Sequence, residues 1–527
     1  MNKKLYFLLI CICSQQLYAQ IPEDALRMSW ITPSGTARHQ AIGGAMGSLG
    51  GEITSTFINP AGLGFYKNSE IVFTPGYRWT KTKGSYRESD FMTLKNANNF
   101  NIGTTGFVAG WGNKYSKWKS NAIAIAVNRT ANFKQDIFYS GSNDYSSWTE
   151  NSTNEFFNYY SEQKNNNPGL SDAAIVDNAL SDANISLPTK MGLYTYLIDI
   201  DSAGGIKRVV SRAEEVGLVG QSNRIQTNGG ITEVALGFAA NMDDKIYLGG
   251  SLGIPIVNYE RLSVFTESDG TGNTANNFNQ FSYQEDYTSK GVGINAKLGA
   301  IFKPKDYVRI GLAVHTPTLY GLKDTYSSKM VTDVENRFAP ASGLDSVMST
   351  VFTGNAPNEF QYDMVSPWKF MVSGSYVFRE VEDVTRQKGF ITADIEYTNY
   401  TWNSFSTAED TNDEAYYEGV NNDIDVAYRG AFNFRVGGEL KFKTIMTRLG
   451  FAYYGSPYAD DALKAKHMFV SGGLGYRNKG IFIDLTYVHQ LNKDVNFPYR
   501  LTPPRQNTFA TLKENGGNVV LTVGFKI

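Results

Sequence analysis

Apolar and polar residues alternate along most of the chain. In residues 430–443, for example, aromatic and aliphatic side chains share one parity, whereas the charged Arg435 and Glu439 share the other. A period of two places successive side chains on opposite faces of a β-strand. We therefore expect an all-β protein with about fourteen strands. The predicted strands are 70–80, 100–112, 120–140, 229–241, 245–266, 279–303, 307–334, 355–379, 388–405, 430–443, 445–455, 467–477, 480–490 and 515–527.

The connections between these strands alternate in length. Short connections, such as 242–244 and 304–306, alternate with long ones at 81–99, 141–228, 267–278, 335–354, 406–429, 456–466 and 491–514. Bacterial outer-membrane barrels have short periplasmic turns and long outside loops, whereas a soluble sandwich has no reason to sort its loops in this way. We therefore predict an antiparallel transmembrane β-barrel over residues 70–527. Its longest loop, 141–228, is predicted to be extracellular and partly helical.

Charged residues share the strand face opposite the apolar side chains. Five are basic and four acidic: Lys297, Arg309, Asp394, Glu396, Arg435, Glu439, Lys441, Asp484 and Lys526. Mixed signs favour ion pairs that support a plug, rather than a channel that selects anions or cations. The last strand alternates up to Ile527, and an unpaired edge of this kind promotes aggregation. We therefore expect it to pair with the first strand and close the barrel.

The first nineteen residues have the pattern of a secretory signal peptide. Lys3 and Lys4 precede an apolar run, and a polar stretch then leads to a cleavage site after Ala19. Both cysteines, Cys11 and Cys13, lie inside this segment. The exported chain is therefore expected to lack disulfides and thiol chemistry, and we expect neither a metal site nor a cofactor.

The composition excludes some classes of function and supports others. A net charge of −2 with 19% charged residues excludes a basic nucleic-acid surface. Aromatic residues make up 13% of the chain, as expected if rings form girdles at both edges of a membrane barrel. A mean hydropathy of −0.31 fits an apolar outer face averaged with a polar lumen and polar loops. No pattern of catalytic residues stands out, so we expect no enzyme activity.

Residues 20–69 do not alternate and are rich in glycine. Within 37–71, Asn59, Pro60 and Ala61 form an Asn-Pro-Ala sequence just before the first strand. Further residues of this stretch are Phe57, Gly62 and Phe65. The stretch resembles the N-terminal hatch of the outer-membrane long-chain fatty-acid transporter family, the FadL and TodX type. The resemblance implies that residues 20–69 fill the barrel lumen as a plug.

The resemblance also implies a function. It predicts a monomeric barrel in the outer membrane of a Gram-negative bacterium that takes up a long-chain fatty acid or a similar hydrophobic molecule. The ligand would be captured at the outside loops, descend to a lumen site beside the hatch, and leave sideways into the outer-membrane lipid through a kinked strand. Two alternatives remain: a barrel of the same family that acts in protein secretion or surface attachment, and a general porin.

A strand kink is predicted where alternation fails. In the third strand, alternate positions are aliphatic up to Arg129, which occupies the next position of the same face. A charge on a lipid-facing site costs about 2–4 kcal/mol at mid-depth. Either the strand bulges within 128–132, at Asn128, Arg129 and Thr130, or this stretch lies above the membrane. Pro255 and Pro317, each inside a long strand, are further candidates for a kink.

The longest loop carries rings and aliphatic side chains at helical spacing. Two interpretations are open: a groove that captures apolar ligands, or packing of the loop onto itself above the barrel. The candidate residues are Phe156, Phe157, Tyr160, Met191, Tyr194 and Leu197.

Overall fold

The computed structural model describes most of the chain after the signal segment. The described residues are 21–30, 34–87, 89–92, 96–113, 115–203, 206–335, 337, 343–378, 388–408 and 414–527. The predicted signal peptide, 1–19, and the first residue of the predicted hatch lie outside this part of the chain.

The described strand segments build one closed antiparallel sheet, which we number as fourteen barrel strands, several of them interrupted. They are β1 (Glu70–Phe73 and Pro75–Tyr86), β2 (Ala97–Ile102 and Thr105–Gly112), β3 (Trp118–Asn132 and Gln135–Asn143), β4 (Val219–Met242), β5 (Ile246–Asp269), β6 (Gln280–Lys305), β7 (Val308–His315 and Leu319–Asp333), β8 (Leu344–Met348, Asn358–Val365 and Lys369–Phe378), β9 (Gly389–Asn399 and Ser404–Thr407), β10 (Gly430–Phe442), β11 (Ile445–Tyr454), β12 (His467–Asn478), β13 (Ile481–Asn496) and β14 (Ala510–Lys526).

Each barrel strand pairs with its neighbours along the chain, and β14 closes the barrel against β1. The closing register places Ile71 opposite Phe525 and Tyr77 opposite Val519. Closure pairs the first strand with the last, which satisfies their backbone hydrogen bonds in lipid. The prediction of a fourteen-stranded antiparallel barrel is confirmed.

Short connections lie at one end of the barrel and long connections at the other, as predicted. The turns 243–245 and 443–444 are short, whereas 144–218 and 497–509 are long. Several strands continue further towards the long-loop end than predicted: β1 reaches Tyr86, and β4 begins at Val219 rather than at 229. The extensions are polar on both faces, so they lack the apolar alternation that identifies a strand in the membrane.

The outer face of the barrel is apolar. Leu298 is 62% exposed and Leu449 is 75% exposed, and both belong to a continuous belt of outward-facing aliphatic and aromatic side chains. A belt of this size is far larger than the apolar patches that soluble monomers tolerate. The fold therefore presents a surface suited to lipid, with its charged strand positions turned inward.

The helices lie inside the barrel or at its long-loop end. The helices are α1 (Pro22–Ser29), α2 (Ala37–Ala41), α3 (Ser55–Ile58), α4 (Glu150–Asn166), α5 (Asp172–Ser181), α6 (Leu187–Tyr194), α7 (Arg212–Glu215) and α8 (Glu414–Ala427). In the longest loop, α4 to α7 accompany a hairpin of Ile198–Ala203 and Ile206–Ser211. None of the described helices is long and apolar enough to span a membrane.

Candidate functional site

Described residues 21–69, which we call the N-terminal segment, lie between opposite walls of the barrel. On one side its Arg38 contacts a chain of buried charges. The Nε of Arg38 donates to Glu439 at 3.3 Å, and Arg448 donates to Glu439 and to Asp484, each at 2.6 Å. The side chain of Arg448 is fully buried. Burying these charges is tolerated because each has an opposite charge at hydrogen-bond distance.

Asp394 binds the backbone of the same segment. Its carboxylate accepts from the amides of Met46 at 3.0 Å and Gly47 at 3.1 Å, and from the hydroxyl of Ser373 at 2.5 Å. The Oγ of Ser373 also lies 2.8 Å from the Oγ of Ser48, whose hydroxyl can donate to it. We call the inward faces of β8–β13 the charged wall. Its charged members are Asp394, Glu396, Arg435, Glu439, Arg448 and Asp484.

Asn59 anchors the predicted hatch motif to the barrel backbone. Its Nδ2 donates to the carbonyls of Gly47 at 2.5 Å and Leu312 at 3.2 Å. Its Oδ1 accepts from the amide of Ala61 at 3.2 Å, which caps the 3₁₀ turn that Pro60 begins. A Cβ on Gly299 would lie 1.8 Å from that oxygen, so the close approach requires glycine there.

The other predicted hatch residues pack in the same region. The ring of Phe65 stacks on Tyr247 with centroids 3.9 Å apart, and the guanidinium of Arg309 lies 4.8 Å from the Phe65 ring. Phe57 is buried, and Gly62 lies so close to Ser55 that a Cβ would lie 2.5 Å from its Oγ. The structure therefore places all six predicted hatch residues within the barrel.

The wall opposite the charged residues is built of small side chains. We call the inward faces of β3 and β4 the smooth wall. Its small members are Ala122, Ala124, Ala126, Ala235, Gly237 and Ala239. Phe57 and Leu63 of the N-terminal segment pack against it. Among the described residues, few hydrogen bonds join the segment to this side; in one of them Ser120 donates to the carbonyl of Gly64 at 2.6 Å.

A cavity of about 130 Å³ lies inside the barrel, between α1 of the N-terminal segment and the part of the segment around α3. Met28 and Ser29 of α1 line it together with Phe57 and Ile58. Helix α1 packs against α8 of an outside loop, and Arg27 lies 4.0 Å from the ring of Tyr259. The N-terminal segment therefore encloses the cavity from both ends of the barrel.

Three cationic and two anionic side chains line this cavity. They are Lys297, Lys369, Arg435, Glu233 and Glu396. Lys297 pairs with Glu233 at 2.5 Å, and Arg435 pairs with Glu396 at 3.0 Å. The amine of Lys369 makes no hydrogen bond to a described residue, although Glu396 lies near enough to act on it electrostatically. The cavity therefore has one cation in excess.

The predicted bulge is present in β3. The pairing with β4 shifts between Arg129 and Ala131 and leaves Thr130 out of the ladder. The guanidinium of Arg129 turns to the hydroxyl of Thr232 at 3.1 Å. Asn128 and Thr130 line the cavity.

The bulge borders an opening in the barrel wall. Pairing of β3 with β2 ends at Thr105 and Val127, and no described residue of β3 pairs with β2 above that point. Higher up, β3 packs against β1 instead, where a Cβ on Gly84 would lie 2.6 Å from the carbonyl oxygen of Phe138. We call this opening the β2–β3 window. From inside, Ser34 donates to Asn128 at 3.2 Å.

The two predicted proline kinks differ. Pro255 lies in the unbroken strand β5, where the pairs of Ile254 and Pro255 with β6 are missing, so the strand does not break there. The strand continues because its pairing with β4 is complete through Pro255. Pro317 does split β7, as predicted.

The predicted capture residues do not form one surface. Phe156, Met191 and Leu197 are fully buried, and Tyr160 packs beside Phe156. Phe157 and Tyr194 alone of the six are classed as exposed, at 52% and 44%. Most of these side chains therefore pack the loop onto itself and do not line a groove at the surface.

Sequence reasoning missed several cavity residues. Glu233, Lys369 and Ser366 lie in strands whose alternation marks them only as inward-facing. Which inward positions meet at one height depends on strand register, which a single sequence does not reveal. A Ser-Pro pair at 366–367 inside a predicted strand was the available signal for a break in β8.

Comparison with known proteins shows which solved structures have a similar architecture. Neither a family model nor a curated protein sequence matches the chain. A solved structure of a Pseudomonas aeruginosa FadL homologue matches with a TM-score of 0.51 and 13% identity, over 94% of this chain and 99% of that one. The Pseudomonas putida toluene transporter TodX matches with a TM-score of 0.49 and 13% identity, and the Ralstonia pickettii toluene transporter TbuX with 0.47 and 14%; both cover 94% of this chain and 99% of theirs.

The first of these matches carries the structural conclusion. It spans nearly the whole of both chains, although the sequences differ at most positions. The resemblance expected from the Asn-Pro-Ala stretch is therefore confirmed in the fold. This chain has the FadL-type fold.

Proposed function

We propose that the protein carries hydrophobic small molecules across the outer membrane of a Gram-negative bacterium. The observation that carries this proposal is the cavity, which lies inside a lipid-suited barrel and is bordered by residues of the β2–β3 window. The solved structures with a similar fold include a FadL homologue and toluene transporters. We assign no catalytic step to the chain.

The charge of the cavity favours an amphipathic ligand with an anionic head. Lys297 and Arg435 already have carboxylate partners, whereas Lys369 has no hydrogen-bond partner among the described residues. A ligand carboxylate would supply a charge-assisted hydrogen bond there, which contributes about 1.5–3 kcal/mol. A long-chain fatty acid is therefore preferred over a neutral hydrocarbon.

We propose that residues 20–69 act as a hatch that stays in the barrel. They close the direct path to the periplasmic end, so an apolar ligand leaves sideways through the β2–β3 window into lipid. This route spares the apolar tail a passage through water, which the hydrophobic effect opposes. Of the predicted capture residues, Phe157 and Tyr194 are the exposed rings that remain for capture at the surface. The barrel works as a monomer in this proposal.

Ligand binding by the purified protein tests the proposal. We expect oleate to bind, and Lys369→Met to weaken its binding about tenfold or more, since one charge-assisted hydrogen bond is lost. Lys369→Arg is the matched control because it keeps the charge. Oleyl alcohol, which has the same tail and no charge, should bind the parent and Lys369→Met equally.

Uptake of labelled oleate by cells that produce the protein completes the test. Uptake above that of cells lacking the protein supports transport. Absence of both binding and uptake, with co-purification of secreted proteins, would replace transport by a role in secretion or surface attachment. Steady ion conductance with the hatch in place would favour a porin.

A further inference from the structure

A second break in the barrel wall lies several strands away from the β2–β3 window. Pairing of β8 with β7 stops at Lys369 and resumes at Val365. Pairing of β8 with β9 stops and resumes at the same two residues. Ser366, Pro367 and Trp368 therefore have no ladder partner on either side among the described residues.

Two prolines account for the weak contact at this break. Pro317 of β7 and Pro367 of β8 occupy the same break, and neither has an amide hydrogen to donate. Two hydrogen bonds join the two unpaired stretches among the described residues. The amide of Thr318 donates to the Oγ of Ser366 at 2.8 Å, and the amide of Ser366 donates to the carbonyl of Thr318 at 3.0 Å. We call the region around Pro317 and Pro367 the proline gap.

The other side of β7 stays attached to its neighbour. The amide of Thr316 donates to the carbonyl of Ala296 at 2.9 Å, and the amide of Ala296 donates to the hydroxyl of Thr316 at 2.9 Å. Separation at this height would therefore occur between β7 and β8, where two hydrogen bonds replace a continuous ladder.

The inner side of the proline gap is the wall of the cavity. Thr316, Thr318, Ser366 and Pro367 all line it, directly beside Lys369. A ligand whose carboxylate binds Lys369 therefore has its apolar tail within reach of the gap as well as of the window.

The outer side of the gap carries exposed rings. Trp368 stacks on Phe370, and Trp402 meets Phe370 edge to face with centroids 6.5 Å apart. Beyond Trp368 the outward side chains become polar, beginning with Asp363, so the rings mark the upper edge of the apolar belt. Tryptophan at such a position is typical of the membrane interface. The gap therefore faces the outer half of the bilayer.

We propose that the proline gap is a second lateral passage, through which the apolar tail of the ligand leaves the cavity for the outer half of the bilayer. This inference rests on the proposed transport of an amphipathic molecule. The proline gap differs from the β2–β3 window in two ways. It lies between β7 and β8, and two hydrogen bonds hold these strands together there.

A reversible disulfide across the gap tests the passage. The described residues contain no cysteine, so Thr318→Cys with Ser366→Cys introduces the only thiols of the described part of the chain. Leu312→Cys with Val372→Cys is the matched control, because it joins the same two strands at a ladder pair on the lipid face. Oleate uptake is measured for each variant after oxidation and again after reduction, with cross-linking followed by gel mobility.

We expect oxidation across the gap to lower oleate uptake severalfold and reduction to restore it, while the control pair transports equally in both states. Recovery on reduction also shows that the variant folds. Equal uptake by the oxidised and reduced gap variant would overturn the second passage and leave the proposed function intact. No uptake by the parent protein would overturn the proposed function, and the second passage with it.

Photolabelling gives an independent readout on purified protein in lipid nanodiscs. A fatty acid with a diazirine at the end of its tail should label the peptide containing Trp368 in the parent, and label it severalfold less once the gap is cross-linked. Labelling confined to β2 and β3 in both states would contradict the proposal.

Discussion

The two walls that face the N-terminal segment hold it in different ways. The charged wall binds it through buried ion pairs and through Asp394, which accepts two backbone amides of the segment. The smooth wall meets it mainly with alanine methyl groups and with the backbone of Gly237. Charge-assisted hydrogen bonds fix both distance and direction, whereas contacts between methyl groups and rings fix neither. The charge-assisted contacts that fix the N-terminal segment therefore lie on the charged wall, whereas its bonds to the smooth wall are between neutral groups.

This asymmetry indicates where a ligand can move. The smooth wall belongs to β3 and β4, and β3 continues upward into the bulge at Thr130 and the β2–β3 window. An apolar tail can slide past alanines without leaving a polar group unpaired, which the charged wall does not allow. We infer that the hatch remains anchored to the charged wall while ligand passes on the smooth side.

Breaking the charged wall should have the largest effect. Arg448→Ala leaves Glu439 and Asp484 buried without their shared partner, and loss of one member of a buried ion pair destabilises by about 3–5 kcal/mol. Thermal unfolding in detergent measures the loss. Single-channel recording should also show a new conductance because the N-terminal segment is released from the charged wall. Arg78→Ala, at a longer and less buried pair with Glu514, is the control that should change little.

Acid should loosen the hatch through His39. Burial, aided by the charge of Arg435, lowers the pKa of His39 from 6.5 to about 3. The unfolded chain then binds a proton that the folded chain excludes, so stability is complete above pH 6.5 and falls as the pH drops towards 3. From these pKa values the loss is about 2 kcal/mol at pH 5. His39→Gln should remove one proton's share of the pH dependence of the unfolding free energy between pH 7 and 5, and an unchanged slope would refute this origin.

Filling the smooth wall should impair transport more than stability. Ala124→Leu adds a branched side chain facing Phe57 and should cost about 1–3 kcal/mol by overpacking. Oleate uptake should fall severalfold because the space beside the hatch is occupied. Ile125→Leu, on the lipid face of the same strand, is the matched control and should leave uptake unchanged. Full uptake by Ala124→Leu would place the path elsewhere.

Removing the Asn59 anchor should have a smaller effect on stability, of about 1–2 kcal/mol, since a turn cap and hydrogen bonds to carbonyls are lost. Thermal unfolding of Asn59→Ala and the parent measures the loss. Equal stability of Asn59→Ala and the parent would show that the motif anchors nothing.

The barrel was predictable because lipid imposes a strict alternation on its strands. Strands such as β10 and β14 have apolar residues at every second position throughout the membrane. The length of each connection indicates the end of the barrel at which it lies. The bulge at Thr130 was predictable for the same reason, since Arg129 falls on the lipid-facing parity. The extension of β4 up to Val219 was not, because outside the membrane both faces of a strand can be polar.

The site was less predictable than the barrel. The Asn-Pro-Ala stretch pointed to Asn59, but the cavity brings together Lys369, Glu233 and Arg435 from strands that are distant in the chain. Their meeting depends on register and strand tilt, which follow from all the ladders together. The proline gap likewise arises because breaks in two neighbouring strands fall at the same height.

Reversible cross-links between the N-terminal segment and each wall test the central claim, which is that the segment stays anchored to the charged wall while ligand passes along the smooth wall. Ser48→Cys with Ser373→Cys joins the hatch to the charged wall, where the two hydroxyls are 2.8 Å apart. Thr56→Cys with Gly237→Cys joins it to the smooth wall, where a Cβ on Gly237 would lie 3.0 Å from the Thr56 side chain. We predict that oleate uptake survives oxidation of the first pair and is lost on oxidation of the second. Loss of uptake in the first variant and survival in the second would contradict the account.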